Sequence, residues 1–351
     1  MPVFCKSVLT LLISASIAGA VDPALLDQVM PEAKVFVGIS LAGISTSPIG
    51  QMLLAQSGAA SEQIKTLTKT IGFDPLKDVR EILIASTGEP KDSRSLVLLR
   101  GTFPKIETLA AAAKSPIQSY KGIPVLVMKQ QATPAMLALL DPSMIAIGDP
   151  KSVQAAIDRR GLNTGLDSRL AARVQEMSGK YDFWMVGKVP EGAFPAAGAP
   201  GQGLSGLMQG DIVKSVVEFG GGVKLGPELT IAAEAVTKTD KDAAALADVL
   251  KFFIGMAQMS AQKDPQAANS MAFLQKLNLR AEGNVAKMSL TIPSAELEKA
   301  LQAAIAQARR QVTTFAPSGV APARQAPAVA PPAGGLIINS SPSDMGTVVI
   351  K

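Results

Sequence analysis

Alternating apolar and polar positions mark the first element. AKVFVGISL (33–41) reads as a strand. SPIGQMLLAQ (47–56) changes to a helical spacing, with Ser47 placed to cap and Pro48 at the first helical position. A second helix is predicted over SEQIKTLTKTIG, ending at Gly72. DVREILIAS (78–86) and SLVLLRGTF (95–103) read as strands, and the polar GEPKDSR between them predicts a hairpin. The helix PKIETLAAAAK follows, then a YKG turn, the strand IPVLVMK (123–129) and two short apolar runs ending at Gly148. A helix from Pro150 to about Arg160 closes this stretch.

The pattern then runs through a similar order again. After a connecting helix near 168–177, DFWMVGKV (182–189) reads as a strand. A Gly- and Ala-rich loop and a short helix lead to two strands, 212–223 and 228–236. The longest helix spans 240–261, with Asp240 or Asp242 as its cap. PQAANSMAFLQKL is helical, strands follow at 277–285 and 286–293, and SAELEKALQAAIAQARR is the last helix. Each half runs strand, helix, two strands, helix, two strands, helix, although the residues themselves do not repeat. The expected fold is α+β: two similar units, 21–165 and 166–310, each an antiparallel sheet with helices on one face, ferredoxin-like or related.

The two ends read differently. MPVFCKSVLTLLISASIAGAVD combines Lys6, an uncharged apolar run and small residues at Ala18-Gly19-Ala20. That is the outline of a secretory signal peptide over 1–20, cleaved after Ala20. The run is shorter than the roughly 20 residues that cross a bilayer, and no later segment is long and apolar enough. The mature chain is therefore expected in the periplasm or outside the cell, without a transmembrane segment. From 311 to 335 the chain is rich in Pro and Ala, the composition of an extended, disordered linker. In GLIINSSPSDMGTVVIK two apolar runs flank SSPSDMG, which predicts a short hairpin over 336–351. A lone hairpin is marginal in water, so it is expected to dock on this protein or on another.

Composition removes whole classes of chemistry. The chain has no histidine, and its single cysteine, Cys5, lies inside the signal. Ser-His-Asp triads, Cys-His dyads, disulfides and ordinary zinc sites are thereby excluded from the mature chain. Carboxylate pairs, Ser-Lys dyads and oxygen-ligand cation sites remain open. The formal net charge is +5, yet Lys and Arg are interleaved with Asp and Glu, and aromatics are 4% of residues. A nucleic-acid partner is not expected from that distribution.

Several motifs carry a hint of chemistry. MIAIGDPKSVQAAID resembles the outline of a phosphate loop, but one glycine precedes Lys151-Ser152 and the loop is too short. The connection reading accounts for each residue: Gly148 ends a strand, Asp149 caps, Pro150 opens the helix, and Lys151 and Ser152 are exposed. Ser260-Ala-Gln-Lys263 matches S-x-x-K, without the other elements of an acylating Ser-Lys enzyme. The 193–211 loop has many glycines and no basic residue, and its Phe194, Leu204, Leu207 and Met208 suit a surface loop or a contacting lid. Phe252, Phe253, Met256 and Met259 on the long helix, and Trp184 in its strand, are expected in the core. No catalytic, cofactor-binding or metal-binding residue is assigned, and no cofactor is expected.

GFDPLKDVREILIAS, SLVLLRGTF, YKGIPVLV, MIAIGDPKSVQAAID and the strand around Phe183 and Trp184, in that order, resemble a family of exported bacterial proteins of unknown function. The resemblance spans roughly 31–304 and implies a signal peptide and a duplicated α+β body; it brings no catalytic residues. GLIINSSPSDMGTVVIK separately looks like the opening of small surface-layer β modules, from which Met345-Gly346 departs. The expected function is a non-enzymatic binding or scaffold protein of the periplasm or envelope. Its C-terminal segment would dock on an envelope protein by strand addition. The alternatives are a binder of a small apolar ligand, held between the units or under the 193–211 loop, and a hydrolase using carboxylates or a Ser-Lys pair.

Overall fold

The computed structural model describes residues 20–56, 65, 68–69, 72–89, 94–128, 134–162, 166–189, 214–261, 273–300 and 302. The chain divides into two compact units, Met1–Gln302 and Ala303–Lys351, and the described residues lie in the first. The signal segment, most of the 61–72 helix, the 193–211 loop, the linker and the C-terminal hairpin fall outside the described residues.

Among the described residues twelve strands form one antiparallel sheet. They are β1 (Val35–Ser40), β2 (Val79–Ser86), β3 (Ser95–Gly101), β4 (Ile117–Tyr120), β5 (Ile123–Met128), β6 (Ala135–Asp141), β7 (Met144–Gly148), β8 (Phe183–Lys188), β9 (Val216–Leu225), β10 (Glu228–Thr237), β11 (Asn278–Glu282) and β12 (Val285–Pro293). Their spatial order is β11-β12-β10-β9-β8-β1-β2-β3-β7-β6-β5-β4. The sheet crosses the expected 165/166 boundary without a break, because β1 pairs with β8 from Val35↔Gly187 to Ile39↔Phe183. Outward from that seam the order is β1-β2-β3-β7-β6-β5-β4 on one side and β8-β9-β10-β12-β11 on the other. The pairs flanking the seam are antiparallel, including β2–β3, β3–β7, β8–β9 and β9–β10, as expected of an α+β sheet of this kind.

The predicted hairpin forms, with Ser86 opposite Ser95. β4 was not predicted. Its residues, IQSY, are mostly exposed and carry no alternation of hydrophobicity. Pairing creates this strand: Tyr120 faces Ile123 across a turn in which Lys121 and Gly122 both have positive φ. That two-residue geometry matches the twist of the flanking strands.

The helices among the described residues include α1 (Pro23–Leu26), α2 (Leu41–Thr46), α3 (Pro48–Gln56), α4 (Pro75–Asp78), α5 (Ile106–Ala113), α6 (Pro150–Arg159), α7 (Ser168–Lys180) and α8 (Asp240–Ala261). They do not share one face, as the sequence suggested. Leu25 of α1, Val153 and Ile157 of α6, and Leu170, Val174 and Met177 of α7 join Phe36, Leu83, Leu98, Val125, Ala138 and Trp184 in the main core. Ile106 and Ala110 of α5 instead pack with Leu126, Leu137 and Leu139. Successive strand residues such as Val125 and Leu126 point to opposite faces, so α5 lies across the sheet from α6. The reason is compositional: β5 and β6 are apolar at consecutive positions, and both faces need cover.

Local capping follows the sequence closely. Ser47 Oγ accepts from Gly50 N at 2.8 Å, and Asp149 Oδ1 accepts from Ser152 N at 3.0 Å. α8 spans the predicted residues, but its cap is Thr239 rather than Asp240 or Asp242. Thr239 Oγ1 accepts from Asp242 N and donates to the Asp242 carboxylate. Trp184 is buried, as expected. Phe252 and Met259 are not core residues: they are 63% and 62% exposed, while α8 buries Ala243, Leu246 and Ala247 in its first half. Phe253 and Met256 are half-buried.

Candidate functional site

Strand alternation sets up a polar groove at one end of the sheet. On β10, β12 and β11 the residues Glu234, Lys287 and Arg280 stand in one register row, and Ala232, Ser289 and Asn278 stand in the next. The row continues through Gly220 and Gly222 on β9 to Val186 and Trp184 on β8, placing these charges on the α7 side of the sheet. α7 packs mainly on β8 and β9. It therefore forms one wall of a groove of about 260 Å³, whose floor is β10, β12 and β11. Lys180, Arg280 and Lys287 line it, together with Glu176, Glu234 and Tyr181.

The charges are internally paired. Arg173 bridges Glu176 and Glu234, and Lys180 Nζ lies 2.6 Å from Glu176 Oε1. Glu282 pairs with both Lys287 and Arg280. The Lys180 hydrogen bond and the Arg173 charge hold the Glu176 carboxyl below its ordinary range. The Lys287 hydrogen bond does the same for Glu282. These carboxylates are fixed as anions near neutral pH. The row can present charge and hydrogen-bond groups to a polar partner.

A second cavity, also of about 260 Å³, lies near the β1–β8 seam and is lined by Ala20, Asp22, Ser40, Arg80, Glu81, Arg100 and Trp184. Asp22 does two jobs: Oδ1 caps α1 through Ala24 N at 2.9 Å, and Oδ2 pairs with Arg100 Nε at 2.8 Å. Glu81 Oε2 accepts from Asp22 N at 3.2 Å. Burial pushes the Glu81 carboxyl up to about 7, and the neighbouring Asp22 charge adds to the rise. Arg80 and Arg100 oppose it without cancelling it. Sequence reasoning could not find this cluster, since Asp22 and Glu81 are 59 positions apart.

The motifs flagged in the sequence stay apart from both cavities. Lys151 is exposed on α6, and Ser152, expected exposed, is buried; its hydroxyl bonds Asp149 Oδ2 at 2.5 Å. Ser260 lies in the last turn of α8, and Lys263 falls outside the described residues. On the sheet face opposite Trp184 and Val186, Phe183, Met185 and Val217 are exposed. Among the described residues no helix is long and apolar enough to cross a membrane.

No family model matches the chain, and no curated protein matches it. Solved structures do align. Crystal form I of TP0453 is 13% identical, with 81% of this chain and 98% of that chain covered, at a TM-score of 0.44. Crystal form III of TP0453 is 11% identical, with 79% and 97% covered, at 0.43.

Proposed function

We propose that this chain is an exported, non-enzymatic binding or scaffold protein of the periplasm or cell envelope, with the groove beside α7 as its recognition surface. The observation that carries the reading is the set of paired charges lining the groove, Glu176 and Lys180 on α7 and Glu234, Arg280 and Lys287 on the sheet. Fixed charge on a rigid floor favours recognition of a polar protein partner over chemistry. The signal peptide over 1–20 supplies the address, and among the described residues no helix is long and apolar enough to cross a membrane. No nucleic-acid partner belongs to this reading.

The body is taken as two related units, 21–165 and 166–310; the three strands that leave the seam in chain order on each side, β1-β2-β3 and β8-β9-β10, support that duplication. The tail, a disordered 311–335 linker and a 336–351 hairpin, is the second docking element of the proposal, suited to strand addition on an envelope protein. The test is crosslinking and co-purification from the host envelope with three chains: Val21–Lys351, one ending at Arg310, and the charge-reversed K180E/R280E/K287E chain. A partner held by the full chain and released by charge reversal supports the groove. Loss on truncation supports the arm. Equal recovery with all three chains would overturn both.

A second reading, a carboxylate hydrolase, has one specific observation in its favour: Glu81 titrates near neutral pH beside Asp22. The apolar-ligand reading has the exposed Phe183, Met185 and Val217 patch.

A further inference from the structure

We propose that the fold contains a receptor for its own processed amino terminus, in which Ser178 and Glu81 hold the α-ammonium of Val21. This rests on the export reading above, in which the chain is cut after Ala20. The cut is a hydrolysis by an envelope endopeptidase acting on the unfolded chain. Water adds across the Ala20–Val21 peptide bond, leaving a carboxylate on Ala20 and an ammonium on Val21.

The residues after the cut are not a loose end. Val21 is 1% exposed and belongs to the main core with Leu25 and Val29. Val21 N donates to Ser178 Oγ at 2.9 Å, deep against α7. Ser178 Oγ in turn donates to Gln175 O at 3.1 Å, and Gln175 Nε2 reaches Val21 O at 3.4 Å. Termini that are not tied down usually fray; this one is anchored at both its N–H and its C=O. Ala20, by contrast, lines the cavity that also holds Glu81, Ser40 and Trp184. Removing Ala20 leaves the new ammonium facing that cavity, one residue from the amide of Asp22, which already donates to Glu81 Oε2.

An ammonium buried there needs an anion. Asp22 is engaged by Arg100, and Arg100 also donates to Ser143 Oγ at 2.8 Å. Arg80, the other cation of this cavity, is exposed. Glu81 is thus the carboxyl left for a new counter-ion. Its present environment fits that role: burial pushes it up to about 7. The sign follows. In a chain that keeps residues before Val21, the folded carboxyl holds a proton that the unfolded chain releases above about 4.5. Stability is then full below about 4.5 and is lost as pH rises toward 7. An adjacent ammonium keeps Glu81 ionised and removes that loss.

The test uses two full-length chains freed from a fusion, one starting at Val21 and one keeping Ala18-Gly19-Ala20, each with and without Glu81→Gln. Near neutral pH the Val21 chain should melt several degrees higher than the longer one. Glu81→Gln should lower the melting temperature of the Val21 chain and leave unchanged or raise that of the longer chain. An equal shift in both chains would overturn the pairing. Should Glu81→Gln prevent folding of the Val21 chain, pH-dependent acylation of its α-amino group gives a separate readout. Pairing raises the apparent pKa above the roughly 7.7–8.0 of a free terminus, and an ordinary value contradicts it. Sequencing the amino terminus of the chain exported by a bacterial host tests the export reading separately: Val21 first supports it, and any other start removes the receptor's role in the cell.

Discussion

At the residue scale, one tightly restricted contact is between Gly38 and Trp184. The two residues are register partners across the seam, and a Cβ on Gly38 would sit 2.1 Å from the indole. Gly38→Ala must displace the largest buried side chain of the core and is expected to cost about 1–3 kcal/mol or more in urea unfolding. The GDPKS connection supplies a second expectation. Asp149→Ala removes the cap of α6 and should cost about 1 kcal/mol, whereas Lys151→Ala should leave stability unchanged and phosphate should protect neither chain. Protection by phosphate that Lys151→Ala abolishes would revive the phosphate-loop reading. This connection was legible because a cap needs only neighbours in sequence. The Asp22–Glu81–Arg100 cluster was not, because β2, β3 and the α1 entry meet only after the sheet has formed.

At the element scale, hydrophobic period located the strands and long helices, since each needs one apolar face whatever covers it. It failed for β4, a polar edge strand made by its neighbour, and for α2, a short turn of helix capped by Ser40. It also misplaced the second half of α8, where apolar residues read as core. Periodicity detects a greasy face and cannot tell whether anything lies against it. Leu246→Ala, in the buried half, should cost about 2–5 kcal/mol. Phe252→Ser and Met259→Ser, at the exposed positions, should stay within about 0.5 kcal/mol by thermal melting. A large loss from either Ser variant would show that the end of α8 is covered in solution.

At the scale of the whole molecule, the strand order depends on pairings between distant segments that no local pattern encodes. The sequence led us to expect a repeat of elements; the pairing of β1 with β8 in one sheet was not legible there. The β1–β8 seam predicts that 21–165 and 166–310, made separately, each expose an unpaired edge next to core residues such as Phe36 and Trp184. Each half should be unfolded or aggregated by circular dichroism and gel filtration, while 21–310 unfolds in one transition. Two folded, monomeric halves would contradict the shared core. The binding claim is tested most directly by a photoreactive side chain at Ser289, on the groove floor, with a control at Glu107 on the opposite face. After irradiation in the host envelope, the account predicts a discrete crosslinked species from the Ser289 probe that is absent from the Glu107 probe and lost in the K180E/R280E/K287E background. The same crosslinks from both probes, or none from the groove, would contradict it.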